Sequence, residues 1–215
     1  MPRVISGTAK GRKLFSVPGE GTRPVTDRVK EALFNILGPY IVGASMLDLF
    51  AGTGGVGIEA LSRGASYVRF IEWNRAAIAT IKKNLAHCRL DDPQRADVRF
   101  MDAFALLQQP ADMAFDYVYI APPQYHGLWE KALRLLDEHP DWLAEDAWAI
   151  VQIHPNEYHD VPLKHLQPFD QRKYGSTLLV FYERTDDEPT AKAEEHVAEQ
   201  EATGEAETAE ANDSR

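Results

Sequence analysis

At 215 residues the chain has room for one α/β domain with accessory pieces and not for two full domains. Its apolar share of 44%, with four Trp, is enough for a core, and no run approaches the ~20 apolar residues of a bilayer span. The single cysteine, Cys88, rules out an internal disulfide or a cysteine metal cluster and suits a reducing cytoplasm, where it reads as a small buried residue near a helix end.

In chain order, the first thirty residues carry seven Lys or Arg against two acids, so a polyanion is expected to dock on this arm. Met1 to Lys13 lacks the apolar segment of a secretory signal. Alternation of Val4, Leu14 and Phe15 with Arg12 and Lys13 predicts a small hairpin turning near Gly7 to Gly11. After a loop at Gly19 and Gly21, Thr22 to Leu37 reads as a helix, with Thr26 and Asp27 able to cap its start and Gly38-Pro39 ending it. From Ser45 the pattern alternates. Strands are expected at 46–50, 67–71, 98–101, 115–120 and 148–154, and helices at 55–63, from Asn74 through Leu85, and at 128–136. Runs near Phe169 and over Thr177 to Tyr182 are expected to pair as an antiparallel hairpin around Tyr174-Gly175. Such alternation means a mostly parallel sheet with helices on both faces. Residues 185–215 hold eleven acids against two bases and almost no large apolar side chains, so an acidic disordered tail is expected there. The expected organisation is a polyanion-contacting hairpin and helix over 1–39, an α/β domain over 40–184 and the tail.

The strongest chemical signal is LDLFAGTGGVGIEALSRGA, Leu47 to Ala65: an apolar strand, a glycine turn, then a helix. Gly52 and Gly54 let the backbone turn tightly against a ligand, and the following helix amides face it. Twenty residues past Gly52, Glu72 ends the second strand, where a carboxylate accepts both hydroxyls of a ribose. Trp73 beside it is placed to cover an adenine, and Asp102 at the end of strand three to read the adenine amine. Gly52, Gly54 and Gly57 also satisfy the dinucleotide pattern G-x-G-x-x-G. Asp48 inside the preceding strand and the lack of a second mononucleotide-binding half favour a small methyl donor over a nicotinamide cofactor.

Strand four runs into YIAPPQYHGLW, Tyr119 to Trp129. Pro122 and Pro123 fix an extended backbone and leave the carbonyls of Ala121 and Pro122 free to accept from a substrate amine, which is catalysis by placement. Tyr125 or Trp129 is available to stack on a base. No His/Cys/Asp cluster has metal-ligand spacing, and His154 and His159 read as loop residues.

With these pieces placed, the chain resembles the RsmD-like family of 16S ribosomal RNA guanine-N2 methyltransferases. The resemblance covers Arg3 to Glu183 and rests most specifically on RVISGTAKGRKL, TRPVTDRVKEALFNIL and the glycine-loop segment, with KYGSTLLVFYE closing it. It implies a Rossmann-like class I fold, a seven-stranded mostly parallel sheet with a reversed last strand, carrying an N-terminal β-hairpin and helix. It implies S-adenosylmethionine held by Asp48, Phe50, Ala51, Gly52, Thr53 and Gly54, with Glu72 and Trp73 on the nucleoside and Asp102 and Ala103 near the adenine. Catalytic positions map to Ala121, Pro122, Pro123 and Tyr125, and RNA contacts to Lys10, Arg12, Lys13, Arg23 and Arg28. The implied partner is 16S rRNA or a small-subunit assembly particle, met by a cytoplasmic monomer that needs no metal. One departure stands out. The family's amino-methyltransferase motif reads Asp or Asn, Pro, Pro, then Tyr or Phe, whereas this chain has Ala121, Pro122, Pro123 and Gln124, with the aromatic one step later at Tyr125. Loss of that acceptor costs on the order of 10² in rate if its bond forms mainly in the transition state. A non-catalytic RNA-binding protein of the same fold is therefore the alternative.

Overall fold

The computed structural model describes residues 2–18 and 25–185. Helix α1 (Asp27–Leu37) starts at Thr26, whose hydroxyl accepts from the Val29 amide. The expected earlier start at Thr22 is not taken up by the described residues, because Val25 is not helical and Thr26 is extended; Thr22, Arg23 and Pro24 lie outside them. The elements that follow are β1 (Ser45–Asp48), α2 (Gly55–Ser62), β2 (Tyr67–Glu72), α3 (Arg75–Cys88), β3 (Ala96–Phe100), α4 (Ala103–Leu107), β4 (Phe115–Ile120), α5 (Leu128–Glu138), β5 (Leu143–Ile153), β6 (Leu166–Tyr174) and β7 (Thr177–Arg184).

The seven strands form one sheet in the order β3-β2-β1-β4-β5-β7-β6. Strands β1 to β5 pair in parallel, and β7 runs antiparallel between β5 and β6. Side chains alternate across the sheet, so each strand supplies both faces. Met46, Tyr117, Tyr119 and Ile150 pack on the side of α1, α2 and α3, while Leu47, Val118, Ile120 and Ala149 pack on the side of α4 and α5. Chain order reverses at β1 and β4, so their carboxyl ends open a crevice at a topological switch point.

Two elements escaped the sequence-based expectation. The short helix α4 has too few residues to show a period, and the first half of β5, LAEDA, contains little that favours a strand. The arm is a looser structure than a hairpin: Arg3 and Lys13 form an isolated antiparallel bridge, with Val4 and Gly11 amides closing the turn between them. Cys88 is buried as the last residue of α3, and burial pushes its thiol up. Among the described residues no helix is long and apolar enough to cross a membrane, and no group of three or more His, Cys, Asp or Glu is placed to hold a metal ion.

Candidate active site

The glycine turn is threaded between the ends of three strands. The amide of Leu49 donates to the Tyr119 carbonyl on β4, and that of Ala51 to the Ile71 carbonyl on β2, both at 3.0 Å. Gly52 (φ 54°) and Gly54 (φ 76°) are left-handed, and Gly54 is the N-cap of α2. A Cβ on Gly52 would meet nothing within 4 Å, so the space in front of it is open to a ligand. Gly57 serves packing instead. A Cβ there would lie 2.3 Å from the Phe70 ring, so this third glycine lets α2 settle onto β2.

Glu72 closes the turn from the side. One carboxylate oxygen accepts from the Gly52 amide, the other from the amides of Trp73 and Asn74, all at 2.9 Å. Three of its roughly four acceptor positions are thus taken by backbone, and the fourth is left for a ligand hydroxyl. Trp73 is 72% exposed beside it. Asp102 lies one residue further beyond β3 than the sequence suggested and caps α4 through the Ala105 amide at 2.9 Å, followed by buried Ala103. Phe50 is half-buried and meets Phe104 edge-on, while Ala51, Thr53 and Gly54 are buried.

Asp48 is the electrostatic anomaly. It is 2% exposed, and its Oδ1 has no hydrogen-bond partner. Burial pushes its carboxyl up to about 7, with a further push from Glu72 and only partial relief from the amides of Gly57 and Phe50. An orphaned buried acceptor in front of an open cradle is what a cationic or hydrogen-bonding ligand would satisfy. In register with Asp48, Tyr119 donates its hydroxyl to Gln152 at 2.5 Å, and burial raises that phenol well above its ordinary value.

Across the crevice, the diproline loop leaves β4 with Ala121 half-buried, Pro122 buried and Pro123 exposed. Among the described residues no backbone amide donates to the carbonyls of Ala121 or Pro122. Tyr125 is exposed and left-handed at φ 66°. Trp129 is not a base-stacking residue: it is 1% exposed in the core on α5, against Tyr158 and His159. Its place on the inward face of an amphipathic helix settles the matter. His154 is a half-buried loop residue after β5, and His159 pairs with Glu130 on the surface.

The N-terminal arm is fastened to α2 and α3 by buried polar groups that the sequence pattern did not announce. Glu59, fully buried, accepts from the amides of Ile5 and Ser6 and pairs with Arg63 at 2.8 Å and buried Lys30 at 3.4 Å. Burial lowers the Lys30 ammonium against the opposing pull of Glu59, and Lys30 also donates to the Arg3 carbonyl. A lone acid in the apolar run GVGIEALS was the available signal. Asn84, buried on α3, joins arm to cradle: its Oδ1 accepts from the Phe15 amide, and its Nδ2 donates to the carbonyls of Phe15 and, at 2.9 Å, Thr53. Lys10, Lys13 and Arg28 are exposed, whereas the Arg12 guanidinium is engaged on the His87 carbonyl. Lys83 sits 3.9 Å over the Phe15 ring, so the exposed Lys82 and Lys83 of α3 continue the basic surface of the arm. Arg23 lies outside the described residues.

With this geometry in place, comparison with known proteins gives concordant results. Residues 2–183 match the model of the family described as conserved hypothetical protein 95. The chain is 42% identical over 181 residues to "Ribosomal RNA small subunit methyltransferase D" of Haemophilus influenzae, covering 84% of this chain and 91% of that one. The protein of the same name from Escherichia coli K12 is 40% identical over 150 residues, 70% of this chain and 73% of its own. Among solved structures, yhhF of Escherichia coli is 36% identical and superimposes with a TM-score of 0.75, covering 85% of this chain and 97% of that chain. An RNA methyltransferase from Salinibacter ruber, solved with S-adenosyl-L-homocysteine, shares the fold at a TM-score of 0.59 and 15% identity, over 78% of this chain and 97% of that one.

Proposed function

The chain belongs to the conserved hypothetical protein 95 family, and from that premise we propose that it is an S-adenosylmethionine-dependent methyltransferase of small-subunit ribosomal RNA, acting on the N2 amine of a guanine. The observation that carries this reading is the facing pair at the switch point: an open glycine cradle with an unsatisfied buried Asp48 on one side, and unpartnered carbonyls on a diproline corner on the other. The names of its relatives, at 40% and 42% identity, supply the substrate class.

The cradle fits the donor. Gly52 and Gly54 admit it, the remaining acceptor of Glu72 takes a ribose hydroxyl, Trp73 covers the adenine face, and Asp102 and Ala103 border it. Phe50, Ala51 and Thr53 shape the wall, and Asp48 gains the partner it lacks. When bound, S-adenosylmethionine supplies an electrophilic methyl group. The chain's own residues do the placing: the carbonyls of Ala121 and Pro122 hold the amine by its hydrogens, Pro123 stiffens the corner, and Tyr125 supports the base. Such positioning replaces a strong base, because the amine becomes acidic only as its new bond forms. Lys10, Lys13 and Arg28, with Arg12 and Arg23, take the RNA backbone, and Lys82 and Lys83 extend that track.

Incubation of unmodified small-subunit particles with labelled donor, followed by mass mapping, is expected to find one N2-methylated guanine. RNA binding without transfer would instead support the non-catalytic alternative, which Ala121 favours, and absence of both would sink the reading.

A further inference from the structure

A carboxylate far along the chain holds the diproline loop in shape. Tyr125 is one of two non-glycine residues with positive φ among those described. The other, Arg89, is the C-cap of α3, where that conformation is routine. Tyr125 has no such excuse, since a Cβ in the left-handed region clashes with the neighbouring carbonyl and something must hold it there. Its amide donates to Glu157 Oε2 at 2.6 Å, a short charge-assisted bond. The other oxygen of Glu157 accepts from the His154 amide at 3.3 Å, so one side chain ties the loop after β4 to the turn after β5. The His154 Nδ1 accepts from the Asn156 amide, and its ring lies 5.5 Å from that of Tyr125, within the contact range of aromatic rings.

We propose that Glu157 is a positioning residue for methyl transfer: by gripping the Tyr125 amide it holds the loop in its left-handed turn and sets the Tyr125 and His154 rings as one platform for the acceptor base. This rests on the function proposed above. An ordinary extended residue at 125 would carry its ring onward along the chain, whereas the left-handed turn brings it against His154 in the turn after β5. The rings already touch, so the base stacks on the outer face of Tyr125 rather than between them.

The test compares Glu157→Ala, Glu157→Asp and Glu157→Gln in the full chain. Loss or shortening of the side chain is expected to lower kcat about tenfold with donor affinity unchanged, while the Gln variant, whose amide oxygen still accepts from Tyr125, keeps at least half the wild-type kcat. A crystal structure of the Asp variant is expected to show Tyr125 at negative φ. Wild-type kcat in the Ala and Asp variants, or Tyr125 still left-handed in that crystal, would overturn the proposal. If the wild-type protein transfers no methyl group, the proposed function and the positioning role fall together, while the crystal readout still decides whether Glu157 holds the left-handed turn.

Discussion

The two sides of the crevice are built on different principles. On the side proposed for the donor, backbone and carboxylate hold one another: Glu72 binds three amides, and the turn is hydrogen-bonded to the strands beside it. On the side proposed for the acceptor, two prolines stiffen a largely exposed loop in which Tyr125 is gripped by one distant side chain. The first arrangement is closed by its own hydrogen bonds and buries an orphaned acceptor, Asp48 Oδ1. The second leaves carbonyls open and leans on few contacts, which suits a surface that must receive a large substrate.

The largest effect is expected from the buried carboxyl of Asp48. With its carboxyl at about 7 when folded and 3.8 when unfolded, Asp48 holds a proton in the folded state across that window. Its contribution is therefore full below pH 4 and is lost as pH rises through 7, at about 1.4 kcal/mol per unit and so roughly 4 kcal/mol in all. Denaturant unfolding of Asp48→Asn should show a correspondingly flatter pH dependence; parallel curves for the two proteins would mean that Asp48 is not strained. Next comes Glu72→Ala, which frees three amides and removes the proposed ribose acceptor. Calorimetry should record a loss of donor affinity of about 100-fold, with RNA affinity intact. Ala121→Asn tests the acceptor side by gain: restoring the missing amide is expected to raise kcat about tenfold and leave donor affinity alone, and an unchanged kcat would show that Ala121 costs nothing. The smallest effect belongs to the basic track. Lys82→Glu with Lys83→Glu should weaken rRNA binding about fivefold at moderate salt and flatten its salt dependence, and an identical salt slope would remove α3 from the interface.

Most of the sheet was legible because periodicity and turn chemistry act locally. The β6–β7 hairpin around Tyr174-Gly175, the Thr26 cap and the Asn74 cap follow from residues within a few positions of each other, whereas the antiparallel seat of β7 beside β5 came with the family resemblance. The cradle was legible for the same reason, Gly52, Gly54 and Glu72 being spaced by one strand and one helix. What stayed hidden depends on contacts between distant segments. Trp129 reads as a base-stacker from its place after the prolines until α5 is seen to turn it inward. Glu157 is thirty-two residues from the amide it holds, and Asn84 is sixty-nine from Phe15; neither stands in a motif.

Gly7 carries a consequence for how this fold is inherited. Its backbone rests on α2 so closely that a Cβ would fall 1.8 Å from the Ser62 carbonyl, while the Ala9 amide reaches the Ser62 hydroxyl and Ile5 and Ser6 reach Glu59. The arm therefore cannot be recombined as a free module. Grafted onto another methyltransferase core, it would need the matching glutamate and serine to arrive with it on the recipient's second helix, so appendage and catalytic body must diversify together.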